Sequence, residues 1–438
     1  MQILAVPIKL GQLFAINLFC NYMNKNQFLF LGFLLAPIFL FSQNKDLSFF
    51  VNNSINNSPQ LYEYRNLILA NSIDSQLIVA ANRYQVTGSG NAYYAPVFNG
   101  YGYDVAITNG QQLSALVALN KQIYNKRNLS LQFQNLQLQR DSLNVTSKIT
   151  TQDIKKSIIA QYITTYGDQL QVDFNNEVIT LLSNEESILK KLTQKNVYKQ
   201  ADYLSFIVTL QQQQLTRSQL LVQYKNDYAT LNYLAGIIDT TITTLAPPDI
   251  SVVRDFIYDS SAFFLKYKID SLRLINQRSV IDAGYRPKVG LFADAGYQTT
   301  FIITPYKNFG TLFGVNVTIP IYDGHQKQLQ YTKLSIQERT RLRHKEFFTN
   351  QLIQLLQQLQ QQLTALESLA EPINKQIKYL ETLIDVNGKL LETGDIKITE
   401  YVLALNNYIT SRNLVVQNMI ARYQVINQLN YWNTNTKL

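Results

Sequence analysis

The sequence predicts a mainly α-helical protein with a membrane β-barrel, built from long antiparallel helices and four β-strands, in a chain that is internally duplicated. Residues 309–321 alternate apolar with small or polar side chains, and this length suits a strand that crosses a bilayer at a tilt, about 9 to 11 residues. Long, polar, helical stretches follow such segments, and the second half of the chain repeats the first at an offset of 198 residues.

Composition narrows the class of protein. The chain has 438 residues, enough for one large or two ordinary domains, and only 16% of them are charged. After residue 43 it has no run of about 18 apolar residues, so a transmembrane helix is not expected. A chain that spans a membrane without such a helix must close a barrel, because lipid cannot satisfy open backbone groups. The net charge of +9 is spread thinly, which argues against nucleic-acid binding.

The N-terminus has the pattern of an export signal. A short region with one positive charge begins at Met23, an apolar run covers residues 28–41, and Ser42 is a small residue at a suitable cleavage point. We expect residues 1–42 to be a signal peptide with its true start at Met23; the alternative is a membrane anchor over the same residues. Cleavage would remove Cys20, the only cysteine, and leave a chain without disulfides.

The first half of the chain alternates between helical and strand patterns. Ser58 and Pro59 suit the cap and first position of a helix that continues to about Arg83. Period two then predicts a β-hairpin at about 86–124, with strands at 97–107 and 113–123 joined by a turn at Asn109-Gly110. The remaining predicted elements are a helix at 125–193, a break at 195–202, a helix at 202–235 with Asp202 as its cap, and a loop at 236–255.

The second half repeats this order. Its predicted elements are a helix at 256–283, a strand at 289–303, a turn at 304–308, a strand from Phe309, a helix at 325–386 kinked at Pro372, a break at 387–397 and a helix at 399–432. The hairpin of this half is expected at about 286–323.

Specific residues support the duplication. At the offset of 198, Val117 falls on Val315, and Leu231-Asn232-Tyr233 falls on Leu429-Asn430-Tyr431. Tyr94-Ala95-Pro96 is matched with Tyr285-Arg286-Pro287 at an offset of 191. We therefore expect two repeats, residues 43–255 and 256–438.

Four strands are too few to close an open barrel, since about eight are needed even for a filled one. Closed symmetric assembly solves this, and three chains would supply about twelve strands around a water-filled lumen. Asp104, Asp294 and Gln298 are candidate lumen residues, with plain solvation as the alternative role. The aromatic side chains that suit the two membrane interfaces are Tyr93, Tyr94, Tyr101, Tyr306 and Phe309.

Two segments carry a resemblance to a known family. Tyr285–Val289 enters the third strand, and Val317–Gly324 leaves the fourth through a strand-to-helix motif that includes Pro320, Asp323 and Gly324. With the duplication and the segment after Gly394, the chain resembles the TolC-like outer-membrane efflux proteins over about residues 44–435. It departs from the pattern in the first half, where Gln122 replaces the proline and the first helix tip lacks the glycine of the second.

The resemblance implies a homotrimeric channel-tunnel, not an enzyme, in the outer membrane of a Gram-negative bacterium. Such a channel extends into the periplasm, contacts a periplasmic adaptor (membrane fusion) protein and an inner-membrane pump, and passes small molecules or proteins outward. The implied adaptor-docking tips contain Lys195, Asn196, Asp202, Gly394 and Asp395. The implied periplasmic gate contains Asp385, Glu392 and Asp395, and the alternative is that these carboxylates are solvated or cap helix ends.

Other classes of site have little support. His325 and His344 are isolated from cysteine and from methionine clusters, so a metal site is not expected. The chain has no phosphate-binding glycine loop, nucleophile elbow or matched acid pair, so neither a catalytic nor a cofactor site is expected. The alternative function is a periplasmic coiled-coil scaffold or adaptor without a pore. A porin-type passive channel is disfavoured by the long helices, and the sequence does not specify a cargo.

Overall fold

A computed structural model of the chain describes residues 45–108, 110–123, 126–253, 261–300 and 307–433, and those from Asp46 onward form one unit. The signal peptide, Cys20, Asn109 of the expected turn, the boundary between the expected repeats and Tyr306 lie outside the described residues. The signal peptide and the repeat boundary stay predictions.

Eight helices and four strands form from the described residues. The helices are α1 (Leu47–Asn56), α2 (Pro59–Ala81), α3 (Val105–Thr108), α4 (Lys126–Gln194), α5 (Gln200–Leu234), α6 (Ala262–Gly284), α7 (Gln326–Thr393) and α8 (Ile398–Tyr431). The strands are β1 (Gln85–Tyr94), β2 (Gln111–Ile123), β3 (Lys288–Thr299) and β4 (Phe309–Thr318). This confirms the predicted fold class of long helices with a small antiparallel sheet.

Helix α4 has 69 residues, which is roughly 100 Å at about 1.5 Å per residue. Two shorter helices pack against different parts of α4. Helix α6 packs near the beginning of α4, where Asn276 Nδ2 donates to Leu131 O at 3.3 Å, and α5 packs on the later part. Helix α7, with 68 residues, has α8 as its antiparallel partner. Two long helical hairpins, α4–α5 and α7–α8, therefore extend away from the sheet.

The sheet is antiparallel, with the order β1-β2-β3-β4. Because α2 leads into β1, β2 into α4, α6 into β3 and β4 into α7, these four connections lie at one end of the sheet, called the helix end here. At the opposite end, called the loop end here, β1 and β3 end and β2 and β4 begin. The strands contain 10, 13, 12 and 10 residues, lengths that suit tilted membrane strands of about 9 to 11 residues.

The predicted position of the first strand is wrong. The predicted strand at 97–107 is a loop that contains the short helix α3, and the strand that pairs with β2 is residues 85–94. The reason is a turn inside the predicted strand: Asn99 and Gly100 have φ of +50° and +87°, and Phe98 and Tyr101 pair across them. An Asn-Gly pair with two positive φ angles reverses the chain, so residues 97–107 cannot extend.

The order helix, strand, strand, long helix, shorter helix occurs twice. Helices α2 and α6 correspond at an offset of 203 residues at both ends, and α5 begins 198 residues before α8. The match of Tyr94-Ala95-Pro96 with Tyr285-Arg286-Pro287 is wrong, because Tyr94 ends β1 at the loop end of the sheet. Tyr285 instead precedes β3 at the helix end.

Several predicted boundaries also move. The expected break at 387–397 is shorter, because α7 continues through Pro372 to Thr393. The cap of α5 is Lys199, so Asp202 lies in its first turn rather than at its cap. Strand β4 ends at Thr318, before Pro320.

Apolar clusters along the hairpins hold the helices together. The cluster nearest the helix tips contains Leu182, Leu189, Phe206, Leu391, Tyr401 and Leu405 and joins all four hairpin helices. A second cluster, farther from the tips, contains Phe50, Ile158, Tyr162, Tyr228, Leu231 and Leu245. None of the described helices is both long and apolar enough to cross a bilayer.

Candidate channel wall and helix tips

The register of the sheet gives it one apolar and one polar face, because directly paired residues in an antiparallel sheet point the same way. The apolar face carries Val86, Ala92 and Tyr94 of β1, Leu113, Val117 and Leu119 of β2, Val289, Leu291 and Tyr297 of β3, and Phe309, Phe313, Val315 and Val317 of β4. The polar face carries Gln85, Thr87, Ser89 and Asn91, then Ser114, Asn120 and Gln122, then Asp294 and Gln298, then Asn316.

The apolar face is left exposed in the single chain. Phe313 is 86% exposed, Val86 67% and Val315 63%, and all three lie inside strands. A soluble sheet normally buries its apolar face and exposes its polar one. An apolar face of this extent is therefore a contact surface for lipid or for another chain.

Two of the three predicted lumen residues lie on the polar face. Asp294 pairs with Ala118 and Leu312, and Gln298 pairs with Ser114. Packing on the polar face is close at Gly314. The ring of Phe292 occupies the space beside this glycine, so that a Cβ added at Gly314 would be 2.5 Å from Phe292 Cζ.

The third predicted lumen residue, Asp104, is not on a strand. It lies in the β1–β2 loop, and one of its carboxylate oxygens accepts a hydrogen bond from Ala106 N at 2.9 Å at the start of α3. The prediction that it occupies a lumen-facing strand position is wrong. The cause is the same misplaced first strand.

The strand-to-helix motif forms the junction between β4 and α7. Asp323 Oδ2 accepts from Lys327 N at 2.8 Å and so satisfies a free amide in the first turn of α7. Gly324 and His325 follow with φ of +63° and +66°. Pro320 lies between the end of β4 and this turn, where no ladder hydrogen bond is lost.

The two helix tips have equivalent backbones. At the first tip Asn196 has φ of +60°, and Val197 N donates to Leu192 O at 3.0 Å. At the second tip Gly394 has φ of +84°, and Asp395 N donates to Leu390 O at 2.9 Å. Asparagine tolerates the left-handed region, so Asn196 takes the place of the glycine that the first tip lacks.

A tyrosine joins the two tips. Tyr198, which follows the first tip, donates its hydroxyl to Leu391 O at 2.9 Å and Ile396 O at 3.0 Å, on both sides of the second tip. The predicted docking residues Lys195, Asn196 and Asp395 are exposed around this contact, and Asp202 is partly buried in the first turn of α5.

The three predicted gate carboxylates do not form one cluster in the single chain. Asp385 accepts from Lys389 Nζ at 2.8 Å on the surface of α7. Asp395 accepts from the Thr393 hydroxyl at 2.6 Å at the helix end. Glu392 is exposed and lies close enough to Glu185 to help raise the pKa of that carboxyl.

Glu185 was missed by the sequence analysis. Its Oε2 is buried without a hydrogen-bond partner, and burial, followed by the charge of Glu392, raises its pKa. The hydroxyl of Tyr401, a fully buried residue, also has no partner, and both side chains lie near Gly388. The signal was available, because Glu185 falls on the apolar seam between Leu182 and Leu189 at helical spacing.

The histidines do not belong to a metal-binding cluster in the part of the chain that the structure describes. Among the described residues, no group of three or more His, Cys, Asp or Glu side chains could hold a metal ion. His325 directly precedes α7 and lies beside Tyr322, with 6.0 Å between the ring centroids, and His344 is exposed on α7, 19 residues after His325.

Solved structures match the fold over most of its length, whereas neither a protein-family model nor a curated protein matches the sequence. The outer membrane protein VceC of Vibrio cholerae matches with a TM-score of 0.69 and 12% identity, over 88% of this chain and 95% of VceC. A membrane protein of Pseudomonas aeruginosa matches at 0.71 and 10% identity, over 89% and 92%. The Campylobacter jejuni CmeC outer membrane channel matches at 0.69 and 10% identity, over 89% and 86%. At such identities these matches show a shared fold, the one that the resemblance to TolC-like channels implied.

Proposed function

We propose that the protein is an outer-membrane channel-tunnel of an efflux or secretion system, through which small molecules or proteins pass from the periplasmic side to the outside. The observation that carries this proposal is the exposed apolar face, which runs across all four strands in one register. The fold shared with outer-membrane channel proteins supports it. In this arrangement the apolar face contacts lipid and the polar face, with Asp294 and Gln298, lines water.

A pore requires more than one copy of the chain. β1 and β4 are the outer strands of the described sheet, and an unpaired strand edge is not tolerated in lipid. Pairing β4 of one copy with β1 of the next closes the sheet without an edge, and a homotrimer provides about twelve strands. The long hairpins then continue the barrel as a helical tunnel into the periplasm.

The helix tips are the proposed docking surface for a periplasmic adaptor and, through it, an inner-membrane pump. Their equivalent backbones support contacts at both tips, each of which presents exposed polar side chains. Val197, at the first tip, is 47% exposed although it is apolar, which suits a protein contact.

The docking proposal can be tested by photo-cross-linking in cells. A photoreactive residue at Val197 is compared with one at Val208, which is 64% exposed on the side of α5. We expect an adduct with a protein other than a further copy of this chain at Val197 alone, and mass spectrometry should identify a periplasmic adaptor. Equal amounts of such adducts at both positions, or adducts only with cytoplasmic proteins, would contradict docking at the tips.

The alternative, a periplasmic scaffold without a pore, predicts a different behaviour in fractionation. An exposed apolar sheet face requires detergent for solubility, whereas a soluble scaffold is released with the periplasmic contents. We expect the protein in the detergent extract of outer membranes, and we expect the purified protein to conduct ions in planar bilayers. Release without detergent, together with absence of conductance, would leave the scaffold as the better interpretation.

A further inference from the structure

A cavity of about 240 Å³ lies in the helical part of the chain. Its walls include the middle of α4, the end of α8 and the segment at residues 249–253, called the strap here. On α4 the lining residues Gln152, Lys155, Lys156 and Ile159 have the spacing i, i+3, i+4 and i+7, which places them on one face of the helix. The described lining includes no residue of the sheet or of the helix tips.

Two asparagines of α8 hold the walls of this cavity together. Asn427 Nδ2 donates to Lys156 O at 2.9 Å and so joins α8 to α4. Asn430 Nδ2 donates to Ser251 O at 2.8 Å, and Asn430 Oδ1 accepts from Val253 N at 3.0 Å, so this side chain joins α8 to the strap. The chain itself therefore fixes the shape of the cavity, which reduces the cost of ordering when a ligand binds.

Gln152 and Lys155 line the cavity without a hydrogen-bond partner in the part of the chain that the structure describes. Gln152 is only 8% exposed, yet its amide makes no hydrogen bond to these residues. Lys155 is partly buried, and its ammonium group makes no ion pair with them either. Burial lowers the pKa of Lys155, and no opposite charge offsets this effect. Buried donors without partners cost free energy, so both groups suit a ligand that accepts hydrogen bonds.

The charges around the cavity favour an anion. Lys156 extends over the ring of Tyr431 at the α8 wall, with 4.6 Å between Nζ and the ring centroid. Asp153 accepts a hydrogen bond from the Tyr431 hydroxyl at 2.7 Å. Asp249 is exposed on the strap, where water and salt screen its charge. Among the described lining residues, two ammonium groups therefore oppose one solvated carboxylate.

Apolar side chains supply the rest of the surface. Ile159 of α4 and Ile250 and Val253 of the strap line the cavity and can contact a hydrocarbon group. The volume suits a small organic molecule rather than a lipid or a segment of protein. The fold does not require the two lysines, because their counterparts in α7 at offsets of 198 and 200 residues, within 353–356, are Ile, Gln, Leu and Leu.

We propose that this cavity binds a small organic carboxylate, with the charged group at Lys155 and Gln152 and the hydrocarbon part on the apolar wall. A carboxylate accepts hydrogen bonds from both side chains and neutralises the partly buried ammonium group. Because the ligand contacts α4, the strap and α8 together, its binding stabilises their packing. The proposal does not depend on the channel function, since the described walls of the cavity include no part of the sheet.

The test is ¹⁹F NMR of 4-fluorobenzoate with the full-length protein in detergent, where line broadening reports binding and detergent alone gives the baseline. 4-Fluorobenzamide, which has the same size without the charge, is the matched ligand. We expect the benzoate to bind at least about 10-fold more tightly than the benzamide. Lys155→Gln should weaken benzoate binding at least about 10-fold, as loss of a hydrogen bond to a charged group predicts. Lys190→Gln makes the same charge change at an exposed position of α4 outside the cavity, and it should leave the affinity unchanged.

Four results would overturn the proposal: absence of benzoate binding, equal affinity for the two ligands, equal benzoate affinity of Lys155→Gln and the wild type, and equal weakening by Lys190→Gln. If Lys155→Gln does not fold, Gln152→Met serves as the second variant, because it keeps the length of the side chain and removes the amide. Unchanged benzoate binding by Gln152→Met would then overturn the proposal. None of these results bears on the channel proposal, which fractionation and conductance test separately.

Discussion

The two faces of β4 provide a test of the channel proposal at adjacent residues. Phe313 lies near the middle of the strand on the apolar face and is 86% exposed, and Leu312 precedes it on the polar face, where it pairs with Asp294. Both positions have the same depth in the sheet. Phe313→Arg and Leu312→Arg therefore place the same charge at one depth, one toward lipid and one toward water.

The expected difference in the free energy of unfolding is large. A Phe side chain that is 86% exposed gives lipid about 170 Å² of apolar area, which is worth about 4 kcal/mol at about 25 cal/mol per Å². An Arg at the membrane midplane costs about 2 to 4 kcal/mol more. Phe313→Arg should therefore cost about 6 kcal/mol or more. Leu312→Arg should cost about 1 kcal/mol or less, because it faces water and lies opposite Asp294.

The assay is urea unfolding of the protein reconstituted in vesicles, with the folded fraction measured by gel mobility without heating. We expect Phe313→Arg to fail to insert into the vesicles and Leu312→Arg to insert normally. If both variants insert with the same stability, or if Leu312→Arg is the worse one, then the assignment of the apolar face to lipid is wrong.

Two further predictions concern the helices and are measured by thermal unfolding in detergent. Gly394→Ala should lower the free energy of unfolding by about 1 to 2 kcal/mol, because residue 394 has φ of +84° and the added Cβ would be 2.6 Å from Val197 Cγ1. An unchanged melting temperature would contradict the geometry of the second tip. Tyr401→Phe should leave the free energy of unfolding unchanged or raise it, since the buried Tyr401 hydroxyl has no hydrogen-bond partner. Tyr228→Phe should lower it by about 1 kcal/mol, because the 2.8 Å hydrogen bond between Tyr228 and the Thr243 hydroxyl is lost. A larger loss of stability in Tyr401→Phe than in Tyr228→Phe would contradict this reasoning.

The sequence was sufficient for the elements with long periodic patterns. α4 begins and ends within about two residues of its expected bounds, because an apolar seam over 69 residues leaves no competing period. The cap of α2 was also predictable: Ser58 accepts from Leu61 N at 3.3 Å, with proline at the next position.

The errors came from local signals that compete. Asn99-Gly100 and Asn109-Gly110 are equivalent turn signals in the sequence, and the strand predicted from the second pair is interrupted by the first. The residues of β1 were passed over because its apolar face is filled largely by Gly88, Gly90 and Ala92, which give a weak period-two pattern. Its pairing with β2 decides the strand, and that pairing is not visible locally.

The candidate sites were harder to predict because they depend on contacts between helices. The contact of Tyr198 with Leu391 O and Ile396 O, for example, joins two helix tips that lie almost 200 residues apart along the chain, and only the packing of the two hairpins brings them together. Glu185 shows the opposite case, in which a charged residue on an apolar seam could have been recognised from its spacing. The predicted gate residues Asp385, Glu392 and Asp395 stay a prediction, since a gate requires several copies of the chain.

The central claim is that several copies of the chain share one closed barrel, because the four strands that the structure describes in one copy leave two open edges. Native mass spectrometry of the protein extracted from membranes in detergent tests it most directly. The account predicts a single dominant species with three times the mass of the mature chain. A stable single-chain species that conducts ions in bilayers would contradict it.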